Sequence, residues 1–76
     1  MDMNRTRQRR EALEMRREDL AARAHISFAY VVKLEGDNPP SPGLEIARRI
    51  ADVLGASVDE IFPPALSESE PVKVAR

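Results

Sequence analysis

Two groups of side chains in this 76-residue sequence have the types that acid–base catalysis or metal binding requires. The first is His25, the only histidine, and the second is the adjacent pair Asp59 and Glu60. A metal site needs several ligands at short spacing, and no second ligand stands at such a spacing from His25. A turn role explains His25 better, because histidine tolerates a left-handed backbone. Carboxylates in the first turn of a helix explain the acidic pair.

Other enzyme chemistries find even less support. The chain has no cysteine, which excludes disulfides, thiolate metal sites and cysteine nucleophiles. We also find no glycine-rich phosphate loop and no nucleophile paired with a base. An enzyme is therefore the least favoured class, and we expect no cofactor and no metal.

Basic side chains form the remaining group, and their chemistry would be phosphate binding. The net charge is −1, but residues 1–33 carry eight Arg or Lys against five Asp or Glu, whereas residues 34–76 carry four against eight. Phosphate neutralisation needs a local basic face and not a basic protein. The first half is thus the candidate nucleic-acid half, although its early arginines could equally serve to solvate a helix: Arg5, Arg7, Arg9 and Arg10.

The elements that must position these side chains centre on residues 17–35. Apolar residues recur at helical spacing up to Ala24 and again, on a new phase, up to Leu34, so two helices joined by a tight bend are predicted. His25 occupies the bend and Ser27 can cap the second helix. The first helix of this pair lacks a good cap, because Arg16 stands at the cap position. A hydrophobic staple, in which Met15 packs against Leu20, is predicted to stabilise its start instead.

Three further helices flank this pair. Residues 5–15 favour a first helix with a thin apolar face, in which Thr6 and Arg9 stand where aliphatic residues would be expected. A fourth helix is predicted after the loop at residues 35–43, with Ser41 as its cap and Pro42 at its first position. Its apolar stripe comprises Leu44, Ala47, Ile50, Ala51 and Leu54. Gly55 should end it, and a capping box from Ser57 to Glu60 should start a short fifth helix.

Residues 17–34 and 44–62 together resemble the XRE family of helix-turn-helix regulators, which includes the phage Cro and CI repressors. The motif positions that carry the resemblance are Ala21, His25, Ile26, Val31 and Leu34. The resemblance implies an all-α, compact, five-helix lambda-repressor-like domain over residues 5–62. Residues 1–4 would be frayed and residues 63–76 would form a flexible tail.

The resemblance also implies which side chains meet DNA. Because Val31 and Leu34 must face the core, the opposite face of the third helix would enter the major groove. The implied base-contacting residues are Phe28, Ala29, Val32 and Lys33. Lys33 can donate to guanine, while the three apolar residues can pack on thymine methyls. The implied phosphate-contacting residues are Arg16, Arg17, Ser27, Tyr30 and Asn38. The family often has basic residues in the loop after the third helix, whereas Glu35 and Asp37 are acidic. We therefore expect weaker contacts from this loop to the DNA backbone.

The implied function is a sequence-specific regulator, a repressor that binds an inverted-repeat operator as a homodimer. Its dimer interface would comprise Val58, Ile61, Phe62 and Leu66. Two related alternatives stay open: an antitoxin whose tail folds onto a protein partner, and a controller of a restriction-modification operon. No apolar run is long enough to cross a membrane and the first residues lack a signal-peptide core, so a cytoplasmic protein is expected. The resemblance implies a bacterial or phage origin.

Overall fold

The computed structural model describes residues 4–63 of the chain. Within that range the protein is all-helical, as predicted, and its helices follow one another with short connections. The five helices are α1 (Thr6–Ala12), α2 (Arg17–Ala24), α3 (Phe28–Leu34), α4 (Leu44–Val53) and α5 (Val58–Ile61). α2 packs against both α3 and α4, and α4 packs against α5.

The predicted bend between α2 and α3 lies at His25. This residue adopts a left-handed conformation with φ 59° and ψ 46°. The Ile26 N–H then bonds to the Ala21 carbonyl at 3.0 Å, which closes the end of α2. Two residues later the Ser27 hydroxyl accepts the Tyr30 N–H at 3.0 Å, so the predicted cap of α3 is confirmed.

The core lies where α2, α3 and α4 meet, and α5 closes one side of it. Its buried apolar residues are Leu20, Ala21, Ala24, Val31, Leu34, Ala47, Ile50, Ala51, Leu54 and Ile61. Small alanines on α2 and α4 let the helix axes approach closely, while the leucines and isoleucines fill the space between them. Met15 is half-buried against this core, which supports the predicted packing ahead of α2. Asp19 also accepts the Arg16 N–H at 3.2 Å, which completes the start of α2.

The predicted start of α4 was wrong. Gly43, in an extended conformation with φ −67° and ψ 169°, is the residue that precedes the helix, so Ser41 is not its cap and Pro42 is not its first residue. Leu44 is consequently the first helical residue, and its side chain lies at the open end of the helix rather than over a preceding turn. It is 61% exposed, so it does not belong to the apolar stripe.

The predicted end of α4 and start of α5 are confirmed. Gly55 has φ 67°, the left-handed value that favours glycine. The Ser57 hydroxyl accepts the Glu60 N–H at 3.1 Å, and the Glu60 carboxylate accepts the Ser57 N–H at 2.7 Å. These reciprocal bonds complete a capping box, as the sequence predicted.

The first helix is shorter than predicted and is held by polar residues. Glu14 adopts a left-handed conformation with φ 56°, which ends the helix before Met15. Thr6 is fully buried at a place where an aliphatic residue was expected, and Arg10 is only 7% exposed. The side chain of Asn4 donates to the Leu34 carbonyl at 3.1 Å and accepts the Thr6 N–H at 3.0 Å. Asn4, which we grouped with a frayed start, is therefore anchored, while residues 1–3 lie outside the described range.

Candidate nucleic-acid interface

The outward face of α3 carries all four predicted base-contacting residues. Val31 and Leu34 are 0% and 1% exposed, and their burial fixes the rotation of the helix. On the other side, Phe28 is 49% exposed and Val32 is 43% exposed, while Ala29 and Lys33 are also exposed. The two large apolar side chains thus lie in water on a helix that has a well-buried inner face. Such exposure of Phe and Val favours a contact surface over a purely structural role.

The predicted phosphate-contacting residues differ in their availability. Arg16 and Asn38 are exposed, and so is Ser27, whose hydroxyl oxygen caps α3. Tyr30 is half-buried and packs against the core, so at least part of its role is structural. Arg17 lies at the first position of α2 with a 42% exposed side chain, and its Nε donates to Glu35 at 3.1 Å. Each of these phosphate contacts remains a prediction.

Sequence reasoning missed an ion network centred on Glu35. Glu35 directly follows α3, and its side chain is only 2% exposed. Arg10 of α1 binds it with both forks of the guanidinium, at 2.7 Å from Nε and 3.0 Å from Nη2. A third bond runs from Nη1 of Arg10 to the Met15 carbonyl at 2.7 Å. This bidentate geometry raises the pKa of Arg10, because the hydrogen bond from its side chain to Glu35 favours the charged form.

This network changes how two sequence features are interpreted. Glu35 is not an acidic surface residue that weakens the grip of the loop on DNA, because its charge is buried and shared by Arg10 and Arg17. Arg10 is not part of a solvated basic face. Since the partners are 25 residues apart along the chain, no periodic pattern in the sequence links them. The expected apolar positions of α1 were Thr6 and Arg9, so nothing in the sequence pointed to Arg10.

A family model described as "Helix-turn-helix" matches residues 7–61, most of the chain. The chain belongs to the XRE family of helix-turn-helix proteins. It is therefore a DNA-binding transcriptional regulator of the XRE type, and the family is a regulatory and not typically an enzymatic one. No curated protein and no solved structure matches the chain.

A second arginine of α1, Arg9, connects this helix to another part of the XRE domain. The side chain of Arg9 donates from Nε to the Leu54 carbonyl at 2.9 Å and from Nη2 to the Gly55 carbonyl at 3.3 Å. These carbonyls are at the end of α4, where a cation is favoured by the helix dipole and by the free acceptors. Arg9 therefore ties α1 to the turn between α4 and α5. A hydrogen bond from the Arg5 N–H to the Ile61 carbonyl at 2.8 Å also joins the start of α1 to the end of α5.

The predicted dimer residues of this XRE protein do not all lie on its surface. Ile61 is 1% exposed and belongs to the core, so its side chain is not available to a second copy. Val58 and Phe62 are half-buried and remain candidates. Leu66 lies outside the described residues, as does most of the tail on which the antitoxin alternative depends.

None of the helices in residues 4–63 is long and apolar enough to span a membrane.

Proposed function

We propose that this XRE protein is a repressor that binds an inverted-repeat operator as a homodimer, with α3 in the major groove. The observation that carries the proposal is the outward face of α3. Four exposed side chains there, two of them large and apolar, lie opposite a face that is fully buried. A helix of this kind fits the major groove, where each base pair presents a distinct set of chemical groups.

The size of the domain supports the homodimer. α3 has seven residues, so one copy can contact only a few base pairs. A two-fold pair places two such helices about one helical turn of DNA apart, at roughly 34 Å, and doubles the number of bases that are read. Our candidates for the contact between copies are Val58, at the start of α5, and Phe62, directly after its end, because both keep part of their apolar surface in water. The repressor role is proposed from the resemblance to Cro and CI.

The experiment that tests the proposal is a binding measurement on two DNA targets. The purified protein is titrated against a DNA fragment from upstream of its own gene and against random DNA, each at two salt concentrations. Specific binding should be at least ~10³-fold tighter than binding to random DNA, and footprinting should show two half-sites related by symmetry. Weak and equal binding to both targets that disappears at high salt would refute the proposal, because such binding comes only from non-specific electrostatic contacts with phosphates.

A matched pair of variants separates base contacts from general charge. Lys33→Ala and Arg23→Ala each remove one exposed cation from neighbouring helices. We expect Lys33→Ala to cost about 1–3 kcal/mol on the operator and to relax one base position. Arg23→Ala should leave the ratio of specific to random binding unchanged. If the two variants lower that ratio equally, Lys33 does not contact a base.

A further inference from the structure

The four side chains on the outward face of α3 contain no hydrogen-bond acceptor. Phe28, Ala29 and Val32 have neither donor nor acceptor, and the ammonium group of Lys33 is a donor only. The amino groups of adenine and cytosine, which are donors, therefore find no acceptor among these four side chains. Discrimination by them must use other features of DNA.

The major groove offers two features that these side chains can recognise. One is the acceptor pair of guanine, which Lys33 can contact, and the other is the C5-methyl group of thymine. Adenine and cytosine present amino donors, for which this face has no acceptor. Three of the four side chains are apolar, so the methyl group is the feature to which most of the surface is suited.

The arrangement of the apolar side chains fits more than one methyl group. Phe28 and Val32 are four residues apart on α3, so they are neighbours on one side of the helix, with Cβ atoms about 6 Å apart. That separation spans roughly two base-pair steps of about 3.4 Å each. Both side chains are about half exposed, which leaves apolar surface that a contact with DNA would remove from water.

We propose that this face reads the C5-methyl groups of pyrimidines, and that the methyl itself, rather than the rest of the thymine ring, is what Phe28 and Val32 recognise. This inference rests on the proposed placement of α3 in the major groove. Its consequence is that the protein distinguishes methylated from unmethylated cytosine, since 5-methylcytosine presents the same methyl group at the same ring position. Binding would then respond to the methylation state of the operator.

The experiment starts from an operator selected from a random pool of duplexes with the full chain. Each thymine of a half-site is replaced in turn by deoxyuridine, which removes the methyl and keeps every donor and acceptor. We expect at least one thymine in each half-site at which affinity falls about fourfold, the change that corresponds to about 0.8 kcal/mol for one buried carbon. At that position, duplexes with cytosine and with 5-methylcytosine are then compared. The methylated duplex should bind about fourfold tighter.

Variants assign the effect to side chains. Val32→Ala and Phe28→Ala should each abolish the response to deoxyuridine at one position. Lys33→Ala should weaken binding overall but keep the ratio between thymine and deoxyuridine duplexes, because it leaves Phe28 and Val32 in place. All three positions are exposed, so the variants should remain folded, which circular dichroism can verify.

The outcomes distinguish this inference from the proposed function. Specific binding that is unchanged by deoxyuridine at every position would overturn the methyl inference and leave the proposed function intact. Sensitivity to deoxyuridine without any gain from 5-methylcytosine would overturn the claim that the methyl alone is read. If no selected duplex binds more tightly than random DNA, the proposed function fails, and the methyl inference fails with it.

Discussion

The buried pair of Arg10 and Glu35 allows a sharp test of what holds α1 to the rest of the domain. The side chains are 8% and 2% exposed, and two hydrogen bonds join them. Replacing Arg10 by Met removes the cation and leaves the Glu35 carboxylate with Arg17 alone. Breaking a buried pair on one side typically costs about 3–5 kcal/mol, because the remaining charge stays out of water. The total free energy of unfolding of a domain of this size is about 3–9 kcal/mol.

We therefore expect Arg10→Met to remove much of the stability of the domain. The double variant Arg10→Met with Glu35→Leu should recover a large part of the loss, since replacing both charges by apolar groups of similar volume is often neutral. Arg17 would then lose its partner, but its side chain is 42% exposed and water can solvate it. Urea unfolding followed by far-ultraviolet circular dichroism, at one fixed protein concentration, measures these free energies.

The chain supplies a matched control for this test. Arg7 and Glu11 form an ion pair on the surface of α1 at 3.1 Å, with side chains 54% and 55% exposed. Arg7→Met removes the same type of cation, but the cost should be below about 1 kcal/mol because water screens the pair. The reasoning is refuted if Arg10→Met costs no more than Arg7→Met. It is also refuted if the double variant is as unstable as the sum of its two single variants.

Three further predictions follow from the described residues. Arg17→Ala should weaken binding to operator and random DNA alike, and the slope of log K against log salt concentration should become smaller by about 1. Arg17→Lys keeps the charge and should keep this slope. Titrations at several salt concentrations measure both. The hydrogen bond from the Ser57 N–H lowers the pKa of Glu60. The Glu60 carboxylate therefore stabilises the fold at pH values above its unfolded pKa near 4.5, and this stabilisation is lost as the pH falls through the lowered pKa. The difference in Tm between the native chain and Glu60→Gln should accordingly be larger at pH 7 than at pH 3, and an equal difference would contradict this account. Thr6→Val should raise the free energy of unfolding by about 1 kcal/mol, because the buried Thr6 hydroxyl has no hydrogen-bond partner among the described residues; a loss in urea unfolding would show that the hydroxyl is satisfied after all.

Features that depend on neighbours in the sequence were predictable. The left-handed bend at His25, the cap at Ser27, the end of α4 at Gly55 and the box from Ser57 to Glu60 each involve residues within about five positions of one another. Hydrogen bonds over such distances depend on side-chain type and spacing, which the sequence displays directly. The rotation of α3 was predictable for a related reason, because Val31 and Leu34 mark its buried side.

Features that depend on distant parts of the chain were not predictable. The sequence shows Arg10 and Glu35 as two charges in different halves of the protein, and only the fold brings them together. Thr6 is similar, since its burial depends on where the start of α1 meets the rest of the domain. The prediction of where α4 starts was wrong for a different reason. Both Ser41 followed by Pro42 and Gly43 followed by Leu44 are compatible with a helix start, and local preferences do not decide between starts two residues apart.

The fold also revises the argument from charge that first favoured a nucleic-acid partner. Of the eight cations in residues 1–33, Arg10 is neutralised by Glu35 inside the protein, and Arg9 binds the carbonyl groups at the end of α4. Fewer cations are thus available for phosphate than the sequence suggests, and the electrostatic part of DNA binding should be modest. Specific affinity must then come from contacts that salt does not weaken, and the apolar outward face of α3 is the surface suited to make them. Few phosphate contacts and few bases per copy both support the proposed homodimer, since a single domain would then have little affinity with which to select a site among random DNA.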